Sequence, residues 1–457
     1  MSRFRTALSV VALGWPMMVA GQSVAAKFEY TPPPKAAADS GFAAYKQAQL
    51  GGFESYKEQV QREFREYAQL HRKVSEEYRS RVASVWAVPE ESSQTRWVQY
   101  EDGYQRKRVV DFENGVVTWS VPEKLADSAG LIEARAEKLL GELMAVTPLE
   151  AFEQDEVARE VEARSLSQFE HLETAKLDKK PVLPAYLFGD SSVEQAKLDR
   201  AIKDMVAKGQ QTISEQDGQK VVSWSFPLTT GETQVEAEKA ETQPQVERSD
   251  KPTHAMTPGE IWKTRTIEAG QKQRLPARAR PFVESINREN SEFELSAELL
   301  LAIMETESAF NPMAKSPIPA FGLMQIVPSS AGQDATAKLF GKPKLLAPSY
   351  LYNAENNIRV GAAYFNILYY RYFKDIEDPR SRLYCAIAAY NTGPGNVSKA
   401  LTGNSMALKP ATRIANTMTP DEVYEHLLDN LPYEETVNYL RKVNARLVGY
   451  EKALADG

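Results

Sequence analysis

Apolar side chains recur at helical intervals in the first charged stretch of the chain, residues 44 to 88. The intervals of three or four positions are seen at Phe53, Tyr56, Val60, Phe64 and Tyr67. Such spacing places these side chains on one face of an α-helix. The pattern therefore predicts an amphipathic helix, or a pair of them, in this stretch.

Strand-forming residues replace the helical pattern after this stretch. An Asp-Gly pair at 102–103 and an Asn-Gly pair at 114–115 stand between segments rich in β-branched and aromatic residues. These pairs are strong signals for tight turns, so they predict two β-hairpins. Residues 131–152 are predicted to be helical, and strands are predicted again at 220–227 and 261–267.

The two halves of the chain differ in their patterns. Helices around a small antiparallel sheet are predicted for residues 44–268, in which the polar stretch 229–258 has little to bury and is predicted to be a linker or surface loop. From 269 to 457 every strong signal is helical, with Pro and Gly at the breaks. The predicted fold class is α+β overall, with a mixed α/antiparallel-β N-terminal domain followed by an all-α domain.

The N-terminus has the pattern of an export signal. Arg3 and Arg5 precede an apolar stretch from 7 to 20, and Val-Ala-Ala follows at 24–26. A basic head, a short apolar segment and small residues at a cleavage site predict a signal peptide over 1–26. An uncleaved N-terminal anchor is the alternative. Residues 27–43, which contain three consecutive prolines, are predicted to form a tether.

Composition excludes several classes of function. The formal net charge of −7 argues against a nucleic-acid partner. The single cysteine, Cys385, has apolar neighbours and is predicted to be a buried small side chain. The histidines give no metal-ligand spacing, since they are scattered at His71, His171, His254 and His426. We expect neither a metal site nor a catalytic thiol.

Two acids stand near the end of one predicted helix, which begins after Ser296 and stops before residue 311. Glu305 and Glu307 point about 200° apart on that helix. Glu305 shares its face with Glu298 and is predicted to be solvated, whereas Glu307 lies on the face of Leu300, Ile303 and Met304. Burial raises the pKa of a carboxyl group, and the negative end of the helix dipole acts in the same direction.

A carboxyl group that stays protonated near neutral pH can serve as a general acid. The helix pattern alone favours a plainer explanation, in which Glu307 is buried and paired with a lysine or with backbone amides. The motifs that follow it in the chain bear on this choice.

Four motifs occur in a fixed order between residues 280 and 450. They are Glu307-Ser-Ala-Phe-Asn-Pro, Ala314-Lys-Ser316-Pro with Gly322-Leu-Met324-Gln325, Ala388-Ala-Tyr390-Asn391-Thr-Gly, and Glu435-Thr-Val-Asn-Tyr439. In this order they strongly resemble the lytic murein transglycosylases, which have a goose-type, lysozyme-like catalytic domain. The stretch 104–115 also resembles the N-terminal domain of the membrane-bound C-type members of that family.

The resemblance implies a role for each motif residue. Glu307 takes the place of the sole catalytic acid, and Ser316 that of a serine which hydrogen-bonds the acid or the substrate. The residues implied to bind the sugar chain are Met324, Gln325, Tyr390, Asn391, Glu435 and Tyr439. Each also has a plainer explanation as turn, core, helix stop or surface pair. Thr392 stands where the family more often has glycine, which affects the floor of the cleft.

The resemblance further implies the substrate and the reaction. The substrate would be the glycan strands of peptidoglycan, cleaved without water and without a metal or organic cofactor. Two alternatives stay open. One is a hydrolytic lysozyme, which needs a second carboxylate, with Asp334 and Glu355 the nearest downstream acids. The other is a non-catalytic wall-binding protein, against which the retained Glu307 speaks.

Location and partners follow from the same resemblance. The membrane-bound members carry a lipid on a cysteine just after the signal peptide, and this chain has no cysteine there. The sequence therefore predicts a soluble periplasmic protein. The N-terminal domain has no catalytic constellation, and an interaction or positioning role is expected for it. Proteins of cell-wall synthesis or remodelling are its candidate partners.

Overall fold

The computed structural model describes residues 40–128, 132, 135–170, 172–228, 266–317 and 319–455. The predicted signal peptide and the predicted linker at 229–258 lie outside these residues, as does the predicted tether up to residue 39. The chain divides into two compact units, residues 1–57 and 58–457. The boundary predicted at 268 falls inside the second unit and stays a prediction.

The first half of the chain contains one long helix and a five-stranded sheet. The helix, α1, spans Ser40–Ala83 and therefore begins within the predicted tether, 27–43. The strands of this half are β1 (Arg96–Glu101), β2 (Arg106–Asp111), β3 (Val116–Pro122), β4 (Leu172–Glu173), β5 (Gln210–Gln216) and β6 (Gln219–Pro227). The sheet is antiparallel, with strand order β1-β2-β3-β6-β5.

Both predicted hairpins are confirmed. The Asp-Gly turn joins β1 to β2, and the Asn-Gly turn joins β2 to β3. Gly103 and Gly115 have φ angles of 63° and 60°, a left-handed region that glycine enters without steric cost. On α1, the predicted apolar face is buried at Phe64 and Tyr67. The side chains of Phe53, Tyr56 and Val60 lie outside the described part of the structure.

Shorter helices complete the first half. They are α2 (Ala136–Ala145), α3 (Pro148–Gln154), α4 (Glu156–Leu166), α5 (Val182–Phe188) and α6 (Gln195–Ala207), with a 3-10 turn at Glu123–Ser128. The stretch predicted to be helical, 131–152, contains parts of two helices in its described residues. Thr147 forms a capping box with Glu150 and starts a new helix at Pro148, so the segment divides into α2 and α3.

The second half is helical, as predicted. Its helices are α7 (Ala269–Lys272), α8 (Val283–Phe293), α9 (Ala297–Ser308), α10 (Gln333–Phe340), α11 (Pro348–Tyr352), α12 (Ala354–Ile367), α13 (Pro379–Thr392), α14 (Pro394–Thr402), α15 (Leu408–Ala415), α16 (Pro420–Asn430) and α17 (Glu434–Ala455). A 3-10 turn at Ala277–Phe282 and π turns at Pro328–Gly332 and Leu368–Tyr372 connect some of them. None of the described helices is long and apolar enough to cross a bilayer.

One short strand departs from the all-α expectation for the second half. This strand, β7 (Leu345–Leu346), pairs in parallel with β4 of the first half. A single cluster of buried apolar residues also extends from Trp119 in the sheet to Leu300 in α9 and Leu440 in α17. The sheet and the helical half therefore share one core. Of the strand predicted at 261–267, the described part, residues 266 and 267, is not strand.

Candidate active site

Helix α9 carries both acids that the sequence singled out. The Leu299 amide donates to the Ser296 hydroxyl at 3.1 Å and caps the start of the helix. Ala309, with a φ angle of 50°, ends it in a left-handed conformation. Nearly every side chain on α9 is buried, so the helix runs through the core. Glu307 lies in its last turn.

Glu307 is a buried acid, as predicted, with 5% of its surface exposed. Burial raises the pKa of Glu307 to about 8, the Tyr439 hydroxyl acts against this rise, and the negative charge of Glu435 adds to it. The contact with Tyr439 does not reach hydrogen-bond geometry, since that buried hydroxyl has no partner at normal distance among the described residues. Glu307 therefore carries its proton at neutral pH.

Glu305 is not solvated, and this expectation is wrong. Its side chain is 14% exposed, and Arg278 donates to it at 2.7 Å. The Tyr450 hydroxyl donates to it at 2.8 Å, and Arg446 lies at 3.7 Å. Arg278 and Arg446 come from other parts of the chain and cover the face of α9 that the helical pattern predicted to be exposed to solvent. Glu298 on the same face is buried as well.

Tyr390 in α13 lies beside the acid. Its hydroxyl donates to the Met324 carbonyl at 2.8 Å, and its ring packs against Tyr364 with centroids 5.5 Å apart. Burial, and then the nearby Glu307, raise the pKa of Tyr390 well above its usual value. The structure thus brings Tyr390, Met324 and Glu307 together.

The second motif forms a tight turn that Asn357 holds from α12. The Met324 amide donates to the Asn357 side chain at 2.8 Å. Gly322 has a φ angle of 74°, and a Cβ atom there would lie 2.3 Å from Asn357 and from the Leu351 carbonyl. Only glycine fits this position. Sequence reasoning missed Asn357, which lies outside the four motifs.

Gln325 closes this turn, and one of its side-chain polar atoms has no hydrogen-bond partner among the described residues. Its side-chain nitrogen donates to the Gly322 carbonyl at 3.0 Å. Its Oε1 atom is buried and has no hydrogen-bond partner in the described part of the chain. The φ angle of Gln325 is 45°, a strained value for a residue with a side chain. An orphaned acceptor in a strained turn is the kind of group that a ligand satisfies.

The third and fourth motifs are joined by one hydrogen bond. The Thr436 hydroxyl donates to the Asn391 side-chain oxygen at 2.7 Å. Thr436 lies between Glu435, which is exposed, and Tyr439, which is buried. The bond therefore fixes the start of α17 against the end of α13, on the side where Tyr439 and Glu435 act on Glu307. Thr436 was not predicted, although it stands inside the fourth motif.

Three further residues that the sequence singled out have the following surroundings. Ser316 is half-buried and lines a small cavity with His71, Asp155 and Lys315. Asp334 accepts a hydrogen bond from Tyr372 at 3.2 Å, and the exposed Glu355 lies 3.5 Å from Arg288. The acid whose charge raises the pKa of Glu307 is Glu435. It is neither Asp334 nor Glu355, the two acids considered from the sequence.

Comparison with known proteins finds similar sequences for the part of the chain that carries this site. Residues 284–411 match the family model described as "Transglycosylase SLT domain". The chain is similar to membrane-bound lytic murein transglycosylase C of Photorhabdus laumondii, with 41% identity over 176 residues, which are 38% of this chain and 48% of the relative. The same protein of Pectobacterium atrosepticum is 39% identical over 178 residues, 39% of this chain and 49% of the relative. The chain spans about half the length of these curated relatives.

Solved structures give weaker likenesses. The lytic transglycosylase Slt of Pseudomonas aeruginosa, solved as an inactive mutant, is 26% identical over 39% of this chain and 25% of its own, with a TM-score of 0.29. The 70 kDa soluble lytic transglycosylase of Escherichia coli is 20% identical over 72% of this chain and 44% of its own, with a TM-score of 0.30. Scores this low add nothing to the sequence matches. Those matches confirm the resemblance to the lytic transglycosylases, and residues 284–411 are the part of the chain that matches the transglycosylase family model.

Proposed function

We propose that this protein cleaves the β-1,4 bond between N-acetylmuramic acid and N-acetylglucosamine in peptidoglycan and releases 1,6-anhydromuramyl products without consuming water. The observation that carries the proposal is the buried Glu307 carboxyl, whose pKa is raised to about 8. Its place at the head of motifs similar to those of the lytic murein transglycosylases supports the same reaction.

Glu307 acts first as an acid and then as a base. The neutral carboxyl gives its proton to the oxygen that bridges the two sugars, and the bond from that oxygen to the anomeric carbon of the muramyl residue breaks. The 2-acetamido group of the substrate stabilises the cation that develops there. The Glu307 carboxylate then takes a proton from the muramyl 6-hydroxyl, whose oxygen bonds to the anomeric carbon and closes the anhydro ring. Glu307 ends the cycle protonated, as it began.

Neighbouring side chains hold the sugar and the acid in place. Tyr390, fixed beside the acid by its bond to the Met324 carbonyl, and Asn391, fixed by Thr436, orient the acetamido group. The free Oε1 atom of Gln325 accepts a hydrogen bond from the sugar chain. Ser316, Met324, Glu435 and Tyr439 complete the proposed binding residues. Uncharged donors and acceptors suit sugar hydroxyl groups, since these are neutral.

A lysozyme-type hydrolase is the second candidate, because one observation favours it. The exposed carboxylate of Glu435 lies close enough to Glu307 to raise its pKa. A second carboxylate of this kind can activate water in an inverting glycosidase. The two reactions leave different ends on the same sugar.

Mass spectrometry of digested murein sacculi distinguishes the two candidates. We expect muropeptides that end in 1,6-anhydromuramic acid. Reducing muramyl ends alone would overturn the transglycosylase proposal and favour hydrolysis. An absence of soluble products from a folded sample would leave a wall-binding protein as the remaining candidate.

We also propose that the protein acts in the periplasm, where its substrate would lie. The relatives carry the words "membrane-bound" in their names, whereas the sequence predicts a soluble form. Fractionation of cells into soluble periplasm and membranes tests this prediction. Recovery in the membrane fraction would contradict it.

A further inference from the structure

The loop that contains the second motif touches the first half of the chain. This loop, called the motif loop below, comprises residues 315–317 and 319–326 and carries Ser316, Met324 and Gln325. Phe321 pairs with Ile326 through two backbone hydrogen bonds of 3.1 Å, and the Ser316 amide donates to the Ala320 carbonyl at 3.0 Å. The motif loop is therefore tied together by its own backbone hydrogen bonds.

The strongest contact to this loop is a partly buried ion pair. The Lys315 ammonium group donates to both carboxylate oxygens of Asp155, at 2.9 and 2.8 Å, and the two side chains are 13% and 17% exposed. Burial opposes ionisation of Asp155, but Lys315, the Ala158 amide and His71 together outweigh it, and the pKa of Asp155 is lowered. The Asp155 carboxylate therefore stays charged at neutral pH, and it is paired with Lys315 in a place poor in water.

Asp155 is itself held rigidly by its surroundings. It lies between α3 and α4, where the Ala158 amide donates to its Oδ1 atom at 3.1 Å and caps α4. The Tyr352 hydroxyl donates to its Oδ2 atom at 3.4 Å. An ion pair to a fixed carboxylate fixes the ammonium group, and with it the start of the motif loop.

Two further elements of the first half reach the same loop. The ring of His71 in α1 meets the edge of Phe321, with centroids 5.8 Å apart. The Lys315 amide donates to the Ser93 carbonyl at 3.4 Å, just before β1. Three separate segments of the first half thus converge on one loop of the second half.

The loop in turn leads to the acid. The Ser308 hydroxyl, next to Glu307, donates to the Leu323 carbonyl at 2.8 Å. The Met324 carbonyl accepts a hydrogen bond from the Tyr390 hydroxyl. The Met324 side chain packs so closely against Gly361 that a Cβ atom at residue 361 would lie 2.4 Å from the Met324 sulfur. A displacement of the loop would therefore move the residues that border Glu307.

We propose that Asp155 and Lys315 form a positioning pair, through which the first half of the chain holds the motif loop in the geometry that binds the sugar chain. The inference rests on the proposed function, because the loop residues bind substrate only if that function holds. It assigns the first half a part in the active site, beyond any role in binding partners.

Substitutions in the full-length chain test the pair. Asp155→Asn removes the charge and keeps the helix cap, since Asn and Asp cap helices equally well. We expect the KM for soluble, uncrosslinked glycan chains to rise about tenfold or more, with a smaller change in kcat, because displaced binding groups weaken substrate contacts. Lys315→Met and the double variant should give similar KM values, since one interaction is lost in all three.

Glu162→Gln is the matched control. Glu162 also joins the two halves, since it accepts from the Ser349 amide at 2.9 Å and from the Ser349 hydroxyl at 2.8 Å, but it contacts α11 and not the motif loop. We expect its KM to stay within about twofold of the wild type, because no loop contact changes. An equal rise in KM for Glu162→Gln and Asp155→Asn would overturn the proposal, as would an unchanged KM for Asp155→Asn.

Hydrogen exchange separates this inference from the proposed function. The Phe321 and Ile326 amides close the motif loop, so we expect them to exchange about tenfold faster in Asp155→Asn than in the wild type or in Glu162→Gln. This result does not depend on turnover. A wild type that releases no muropeptides would refute the proposed function, whereas equal exchange rates in Asp155→Asn and the wild type would refute the positioning pair.

Discussion

Glu305 and Glu307 lie two residues apart on α9 and meet opposite surroundings. Glu305 faces Arg278, Arg446 and the Tyr450 hydroxyl, which together supply positive charge and hydrogen bonds to a carboxylate. Glu307 faces Tyr390 and Tyr439, with Glu435 as the nearby charge. Both side chains are largely shielded from water, so shielding alone does not distinguish a candidate catalytic acid from a structural one.

The two faces differ in their nearby cations, since two arginines lie against Glu305 and none is among the groups that act on Glu307. An ion pair with guanidinium groups requires an ionised partner, so the Glu305 face binds α9 to the 3-10 turn at Ala277–Phe282 and to α17. The Glu307 face offers aromatic rings and hydroxyl groups, which leave the carboxyl free to keep its proton and to give it away. One helix thus carries, on opposite sides, an acid held in ion pairs and the acid to which we assign the chemistry.

The sharpest test of this comparison is Glu307→Gln. The substitution keeps the size of the side chain and removes its transferable proton. We expect the rate of muropeptide release from sacculi to fall by about 10²- to 10⁴-fold, the usual worth of a positioned general acid. Glu305→Gln is the control and should keep its rate within about fivefold at a temperature where it is folded, because it lies on the other face. An unchanged rate in Glu307→Gln would refute the assignment.

The pH dependence of stability is the second test. The folded protein holds the Glu307 proton up to a pH of about 8, whereas an unfolded chain releases it near the ordinary value of 4.5. Between these values the folded state binds more protons, so this group lowers the free energy of unfolding as the pH rises, by roughly 5 kcal/mol over the window.

Urea unfolding at pH 5 and pH 8 measures this effect. We expect Glu307→Gln to gain stability relative to the wild type at pH 8 and to lose that advantage at pH 5. Equal differences between the two proteins at both pH values would mean that the proton on Glu307 is not retained by folding.

A third test concerns the structural acid. Glu305→Gln leaves two partly buried arginines without their carboxylate, and we expect the free energy of unfolding to fall by about 2 kcal/mol, the scale for a hydrogen bond to a charged group. Thermal or urea unfolding at pH 7 provides the measurement. If the variant were as stable as the wild type, the Arg278 face of α9 would have no structural role.

The smallest effect is expected from Glu435→Gln. Wild-type kcat/KM should fall as the pH rises through about 8, because Glu307 must begin the reaction protonated. Removing the exposed charge of Glu435 should move this alkaline limb to lower pH by less than about one unit, since solvent screens the interaction. A pH–rate profile records it. Loss of turnover at every pH would instead favour Glu435 as the second carboxylate of a hydrolase.

Local patterns predicted the elements that depend on neighbouring residues. The Asp-Gly and Asn-Gly turns gave the two hairpins, and the spacing of apolar residues on α9 placed Glu307 in the core. Strand β5 escaped prediction, because its residues are nearly all exposed and polar and show no alternation. The helical pattern continues on both sides of Thr147, so the new helix that begins at Pro148 was not predicted. The capping box of Thr147 with Glu150 is the sequence feature that indicates this helix start.

Contacts between distant residues were beyond the reach of such patterns. Arg446 follows Glu305 by well over a hundred positions, and nothing in the spacing near Glu305 indicates that arginines will cover it. The same holds for Asp155 and Lys315, and for Asn357, which holds the turn of the second motif. Periodicity identifies which face of a helix is apolar, while long-range packing decides what covers the other face.

The parallel pair of β4 and β7 also constrains how this chain acquires its structure. Leu172 bonds to a strand that begins at Leu345, so the pairing closes a very long stretch of polypeptide. Contacts of such high sequence separation slow folding, because the chain entropy is lost before the contact is gained. In an exported chain β4 emerges before β7, so the first half lacks this partner strand until the second half has followed. We therefore expect the last step of maturation to be the joining of the two halves, and a nascent chain halted before residue 345 to depend on chaperones.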